Sequence, residues 1–515
     1  MALGLTPLQI IEKGTHPQLV IAEDWERIEL KHIASVQNGF AFSSKLFNRT
    51  EGLPLIRIRD IFSSETQNLY SGDYKDEFIV GKGDILIGMD GDFKVSKWPG
   101  ERGLLNQRVC RIHFYSKLYE KEFLFLCIQP YLNAIHSETS AVTVKHLSSR
   151  TINNIPFPLP PLPIQRAIVS KIESLFSSLD SGIADLKKAQ AQLKIYRQAV
   201  LKKAFEGELT KEWREQQADL PSAEELLEHI KGERQKHYEN KVEEWVYKIK
   251  FWEENGKEGK KPTKPRPYKK NENISEVELI GKVGFHYVRL GEFIGSIQAG
   301  KSHRCDERPP CNGEFGIAKV SAVSWNEYDE QESKTCMDHS QMVEGYIIKP
   351  GDFLFSRANT IELVGACVIV KATSLKIMLS DKTLRLNFTY GIYNFFLYYL
   401  RSIYGRKEIE SRSTGNQDSM RNIGQERIRK ILIPLFSSIE QQQIVKEIES
   451  RLSVCDKVEK DIKDSLEKAT ALRQSILKKA FEGKLLTKAE IEKCKQESDY
   501  EPASVLLERI KKEKK

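Results

Sequence analysis

The sequence predicts an α+β chain. Two mixed α/β domains are joined by two long helices forming an antiparallel coiled coil, and the whole is a pseudo-twofold internal repeat. Three observations predict it. Residues 164–207 recur at 440–483 with 19 identities in 44 ungapped positions. Short β-rich runs punctuated by turn formers precede each copy. Each copy also carries one apolar stripe at helical spacing on a polar background.

The elements follow in order. Residues 1–24 lack a basic stretch leading into an apolar core, so they predict a short N-terminal leader without a secretion signal. Residues 25–155 predict the first mixed domain, with runs such as Leu55-Ile56-Arg57-Ile58 and Asp84-Ile85-Leu86-Ile87 broken by Asp90-Gly91-Asp92. The run Ile155-Pro156-Phe157-Pro158-Leu159-Pro160-Pro161-Leu162-Pro163 is expected to end that domain. Proline fixes φ and lacks an N–H, so neither strand nor helix should continue through it. Residues 156–255 predict a central helical spacer. Its seam runs Leu179, Ile183, Leu186, Leu193 and Val200, with Gln190 and Arg197 at the interrupting positions, polar groups suited to setting register.

Residues 256–280 predict a basic, proline-rich linker or mobile arm. Residues 281–433 predict the second mixed domain, with Phe353-Leu354-Phe355 as a strand and Pro309-Pro310 and Asn312-Gly313 as turns. Residues 434–515 predict the C-terminal helical spacer, with a stripe of Val458, Ile462, Leu466, Ala469, Leu472 and Ile476. The repeat extends beyond the helices: Leu226-Leu227-Glu228-x-Ile230-Lys231 recurs as Leu506-Leu507-Glu508-x-Ile510-Lys511. Upstream, Ile33-x-Ser35-Val36-Gln37-x-Gly39 recurs as Ile294-x-Ser296-Ile297-Gln298-x-Gly300, and Gly83-Asp84-x-Leu86 as Gly351-Asp352-x-Leu354. The offset grows from 261 through 268 to 276, so the second copy has gained residues in its variable part while the helical part kept its length.

Composition excludes several classes. No run of 18 apolar residues exists, which argues against a membrane span. Eight cysteines in 515 residues are too sparse for a disulfide framework and predict reduced thiols in a cytoplasmic protein. Of the net charge of +8, residues 256–270 alone supply +6. A nucleic-acid reading must therefore rest on local patches and architecture.

Enzyme signals are weak. Residues 295–302 fit the phosphate-loop pattern G-x-x-x-x-G-K-S, but Pro309 and Pro310 stand against the helix that such a loop needs. A nucleotide-hydrolysing enzyme is the rival reading that this pattern leaves open. His303, Cys305, Cys311, Cys336 and His339 are loosely spaced for zinc, and the first copy has no counterpart, so no metal site is expected. Neither an Asn-Pro-Pro-aromatic motif nor a nuclease-like carboxylate cluster with lysine stands out, so no catalytic residue is expected.

Two unlike domains on a stiff pseudo-twofold spacer suit duplex DNA, which presents directional surfaces at fixed spacing. Such a reader would take a bipartite, asymmetric target, helix length setting the gap and loop side chains the bases. Candidate contacts are Ser43, Ser44 and Lys45; Lys94, Ser96 and Lys97; and Thr143 and Lys145 in the first domain. In the second they are Lys301, Ser302, His303 and Arg304; Arg357, Asn359 and Thr360; and Asn416, Gln417, Ser419 and Arg421. Arginine can read guanine, and asparagine or glutamine adenine, in a major groove. A coiled-coil adaptor without DNA affinity is a third reading.

The paired Arg197-Gln198-x-x-Leu201-Lys202-Lys203-Ala204-Phe205-Glu206-Gly207 and Arg473-Gln474-x-x-Leu477-Lys478-Lys479-Ala480-Phe481-Glu482-Gly483 blocks, with the proline-rich boundary and a glutamine at the helix start, carry a resemblance. So do residues 83–92, 105–108 and 351–360 and Asp381-Lys382-x-Leu384-Arg385. Together they resemble the specificity (S) subunit of Type I restriction–modification systems, over about residues 25–515. The resemblance implies two target recognition domains and two helical spacers that read double-stranded DNA, a non-catalytic part of a host-defence system. It implies no cofactor in this chain: S-adenosylmethionine, ATP and Mg²⁺ would be used by two modification (adenine methyltransferase) subunits and two restriction (translocase/endonuclease) subunits, in the cytoplasm and away from membrane. The long Lys/Pro-rich extension after the first helix departs from the family pattern.

Overall fold

The computed structural model describes residues 5–63, 66–139, 145–265, 267, 286–311 and 313–513. The chain forms two compact units, Met1–Lys187 with Lys463–Lys515, and Lys188–Ile462. The boundary falls inside both long helices, Leu162–Phe205 and Ser438–Phe481.

Both units are built on the same frame. The first has an antiparallel sheet in the order Ala34–Asn38, Val109–Phe114, Ile85–Gly88, Val95–Lys97. The second repeats it as Ile294–Ala299, Thr383–Phe388, Phe353–Ser356, Cys367–Ile369. The strands Ile85–Gly88 and Phe353–Ser356 are buried at every residue, so each sheet is covered on both faces. One cover is helical: Lys121–Glu138 in the first unit, Tyr393–Arg401 and Ile403–Arg412 in the second. The further sheets differ between the units: among the described residues the first has one of five strands, and the second has two of three strands.

Each unit takes helices from both copies. Leu226 and Ile230 are buried in the second unit with Phe395 and Tyr399. Their repeat partners Leu506 and Ile510 are buried in the first, with Ile28 and Phe123. Each such side chain contributes about 1.5–3 kcal/mol, so each copy's tail stabilises the unit that holds the other copy's domain.

The proline-rich run does form a strand, which corrects the expected boundary. Pro156–Leu159 pairs antiparallel with Glu26–Glu29, and Leu432–Pro434 with Tyr287–Arg289. The Leu30 amide donates to the Ile155 carbonyl at 3.1 Å, which places Pro156 and Pro158 at positions where the ladder needs no N–H. The expected leader is also part of the fold: Ile10 and Leu19 are fully buried in the first core.

At each helix start a buried glutamine closes the turn. Gln165 donates from Nε2 to the Pro160 carbonyl at 2.8 Å and accepts the Glu120 amide at 2.8 Å. Gln441 repeats this with Phe436 and Ile392, at 3.0 and 3.3 Å.

The helices pair antiparallel within each unit. In the second, Arg197 lies against Asp456 at 2.7 Å and Glu459 at 2.9 Å, while Arg214 further along meets Glu440 at 2.6 Å. In the first, Arg473 pairs with Asp180, and Lys171 meets Glu490 at 2.8 Å. Leu179, Ile183, Leu186, Gln190, Leu193 and Arg197 are half-buried, and Val200 is buried. In the second helix the seam departs from the expected stripe: Val458 and Leu472 are 39% and 51% exposed. The less exposed positions are Cys455, Glu459, Ile462, Leu466, Ala469, Arg473 and Ile476. They keep alternating steps of four and three, and each lies 276 residues after a seam position of the first helix. The purely apolar stripe through Val458 and Leu472 does not keep that step.

Two further expectations change. Cys305 and Cys336 pair as a disulfide rather than as free thiols, because the Asp306–Thr335 bridge brings their Cα atoms to 4.8 Å. Residues 256–265 of the expected linker lie back against the helix Ala223–Glu254: the Trp245 and Trp252 indoles donate to the carbonyls of Pro262 and Gly259. Residues 266 and 268–280 of that linker, like Asn312 of the expected turn, lie outside the described residues. No described helix is long and apolar enough to cross a membrane.

Candidate nucleic-acid interface

In the second unit the backbone gathers three of the predicted clusters. Strands Ala358–Asn359, Met420–Asn422 and Thr414–Gln417 make a three-stranded sheet in which Asn359 faces Arg421. The Arg357 amide donates to the Lys382 carbonyl at 2.9 Å, and the Ile423 amide to the Arg357 carbonyl at 2.9 Å. Next to Lys382, Asp381 accepts a hydrogen bond from the Ser302 hydroxyl. Residues 301–304, 357–360 and 416–421 therefore share one end of the unit.

The side chains divide by what already holds them. Lys301, Arg304, Asn416, Gln417 and Ser419 are exposed, and His303 is half-buried. Arg357 is half-buried. Arg421 is engaged within its own hairpin, donating to the Gly415 carbonyl at 2.9 Å and the Ser413 hydroxyl at 3.0 Å. Asn359 accepts the Thr360 amide at 2.9 Å, while Thr360 heads a turn whose carbonyl accepts the Val364 amide at 2.8 Å.

The first unit uses the same frame with different side chains. The Met89 amide donates to the Arg108 carbonyl at 3.0 Å, and the Leu147 amide to the Met89 carbonyl at 2.7 Å. Beside them the Asp90 carboxylate lies 2.7 Å from His146 Nδ1 and 3.4 Å from Arg108 Nε. Arg108 and His146 are exposed and were missed. Their signal was positional, because Arg108 aligns with Lys382 at an offset of 274.

Ser43, Ser44 and Lys45 are exposed and follow Phe40, which is 48% exposed and whose ring sits 5.2 Å from that of Phe42. Lys94 is exposed and 3.3 Å from Asp92. Lys97 pairs with Glu122 and lies 4.7 Å over the Phe125 ring, and Lys145 donates to the His136 carbonyl at 2.6 Å. Ser96, expected as a contact, is instead buried in its strand and donates to the Lys97 carbonyl, so it is not available to DNA. Thr143 lies outside the described residues.

The phosphate-loop pattern runs along strand Ile294–Ala299, and the residues after Gly300 form no helix, so no helix N-terminus faces a phosphate. Gly300 is needed because a Cβ there would lie 1.8 Å from the Leu379 carbonyl oxygen. Gly39 makes the same approach to the Asn106 carbonyl in the first unit. Among the described residues no group of three or more His, Cys, Asp or Glu could hold a metal ion.

Residues 22–189 match the family described as Type I restriction modification DNA specificity domain. The chain is 30% identical over 525 residues to the Type I restriction enzyme EcoBI specificity subunit of Escherichia coli, covering 100% of this chain and 97% of that protein. It is 25% identical over 386 residues to the EcoKI specificity subunit of Escherichia coli strain K12, covering 75% and 69%. A solved chain described under complex assembly and conformational transition of the type I R-M system is similar in fold, with a TM-score of 0.59 at 17% identity over 90% of this chain and 100% of that one.

Proposed function

Since the chain belongs to the family of type I restriction–modification specificity subunits, we propose that its two units read two unlike halves of one bipartite DNA target. It is a DNA-recognition subunit and is itself non-catalytic, the methylating and cleaving activities lying in other subunits. One observation carries the half-site reading. The same backbone frame occurs in both units, yet the side chains it presents differ, with Arg108, His146 and Lys94 on one and Arg357, Gln417 and Arg304 on the other. A repeated frame with unlike polar tips suits two different sets of base edges.

Partners in this reading are double-stranded DNA, two modification subunits and two restriction subunits. S-adenosylmethionine, ATP and Mg²⁺ act in those partners, and the assembly works in the cytoplasm. The long helices set the gap between the half-sites and scaffold the partners. The test is a map of genomic adenine methylation in cells with and without this gene. Loss of one bipartite motif is expected, and an unchanged map in an active system would refute the reading. The ruler role has its own test: seven residues added to both helices together should lengthen the gap while both half-sites persist, and an unchanged gap refutes it.

A further inference from the structure

Helix Ala223–Glu254 starts as part of the second unit's core and ends as something else. Its first turns are anchored by the Ser222/Glu225 capping box, buried Leu226 and Ile230, and the Arg234–Glu292 ion pair. Beyond Ile230 no residue of the helix is buried. Twenty-four more residues rise about 36 Å at about 1.5 Å each, close to one turn of B-DNA at about 34–36 Å.

The chain then reverses through Gly256, Lys257 and Gly259, with φ of 71°, 63° and 78°. Residues 259–264 run back along the helix end. Trp252 Nε1 donates to the Gly259 carbonyl at 3.4 Å, and one helical stretch earlier Trp245 Nε1 donates to the Pro262 carbonyl at 3.0 Å. The ammonium of Lys261 lies 5.8 Å from the Trp252 ring, and that of Lys264 lies 5.6 Å from the Trp245 ring. Lys257, Lys260, Lys261 and Lys264 thus lie on one folded strip, and among the described residues none of them forms an ion pair with a carboxylate. Glu258 is the one acid among residues 257–264, so the strip is net +3. Tyr247 and Phe251 beside it are 73% and 60% exposed.

We propose that this helix-and-return arm is a sequence-independent clamp on the phosphates of duplex DNA, adding to what the second unit's loops read. The proposal rests on the DNA-reading assignment above. Duplex DNA is favoured as occupant because Lys260, Lys261 and Lys264 follow one another along the returning segment, with Lys257 at the reversal, and a line of ammonium groups complements a line of phosphates. The proline at 262 and the indole donors fix that line before binding, so little ordering is left to be done at contact.

The experiment compares the assembled methyltransferase carrying the unaltered chain with one carrying Lys257→Gln, Lys260→Gln, Lys261→Gln and Lys264→Gln. Affinity for a duplex containing the methylated motif is measured by anisotropy from about 50 to 200 mM NaCl. Each lost phosphate contact should reduce the slope of log K against log salt by about 0.9. Four contacts thus make the unaltered complex lose about 100-fold more affinity over that range than the variant. The motif methylated should not change, and the Lys→Arg version of the same four positions should keep the original slope. An identical slope in the Gln variant overturns the clamp, as does loss of subunit assembly with the slope intact, which would make the arm a protein contact. An unaltered complex that binds the duplex without salt dependence would instead overturn the DNA-reading assignment itself.

Discussion

Arg385 reaches the Asp352 carboxylate at 2.6 Å, and Arg111 reaches Asp84 at 3.1 Å at the matching place of the other unit. The surroundings match as well. Arg385 donates to Gln298 Oε1 at 2.7 Å and to the carbonyls of Gly345 and Ile347. Arg111 donates to Gln37 Oε1 at 2.6 Å and to the carbonyls of Glu77 and Ile79. Each guanidinium ties the central sheet to the short turn before it. Arg385→Met would leave a largely buried carboxylate and two carbonyls without their donor, at a cost of about 3–5 kcal/mol. Arg385→Lys should recover little of this, since one ammonium cannot span four acceptors in a plane. Denaturant midpoints of the purified variants check this, and a loss below about 1 kcal/mol would dismiss that role for Arg385.

Gly300 and Lys301 are neighbours with opposite expected sensitivities. A methyl group at Gly300 meets the Leu379 carbonyl oxygen at 1.8 Å, so Gly300→Ala must displace backbone and should destabilise the second unit by several kcal/mol. Lys301 is exposed, and Lys301→Ala should fall within about 0.5 kcal/mol of the parent. A phosphate loop would reverse the functional weight onto Lys301. ATP binding by the parent chain, abolished by Lys301→Ala, would reinstate that reading.

Glu330 gives the second unit an acid-sensitive clasp. Partial burial works to raise its pKa, but donors from Ser374, Thr373 and Leu375 outweigh it and hold the carboxyl at about 2, against an ordinary 4.5. The Ser374 amide lies 2.7 Å away and the Thr373 hydroxyl 2.8 Å. A lowered folded-state pKa stabilises above the unfolded value, so this contribution is full above about pH 4.5 and fades as pH falls toward 2. Glu330→Gln should lower the denaturant midpoint at neutral pH, and the gap from the parent should close on acidification. A gap that stays constant with pH would rule the clasp out.

How much of this was legible in sequence depends on which interaction fixed the residue. The paired Gln37/Gln298, Asp84/Asp352 and Gly39/Gly300 stood out because each makes an obligatory backbone or ionic contact in both units. Those constraints are local and survive divergence. The strand at Pro156–Leu159 was misread because the rule that proline breaks structure ignores which side of the ladder needs an N–H. The grouping of Arg357 with Gln417 and Ser302 could not be read at all, since it depends on hydrogen bonds between segments that lie far apart in sequence, up to 79 residues for Ser302 and Asp381. Ser96 misled because a hydroxyl between two lysines looks solvent-facing, whereas the sheet is covered on both faces and neighbouring Val95 and Ser96 are both buried.

The seam of the second long helix supplies the remaining prediction. Ala469 is 8% exposed and Leu472 is 51% exposed, although leucine is the more apolar residue. Position outranks hydrophobicity here, because 469 follows 466 and 462 in steps of three and four, while 472 falls one residue before Arg473, which holds the Asp180 ion pair. Ala469→Lys should place a charge and a long chain against the facing helix and cost about 2 kcal/mol or more. Leu472→Lys should stay within about 0.5 kcal/mol, since its side chain already faces solvent. Thermal melts of the isolated chain separate the two. Equal losses at both positions would return Leu472 to the seam and break the 276-residue correspondence from which the corrected register follows.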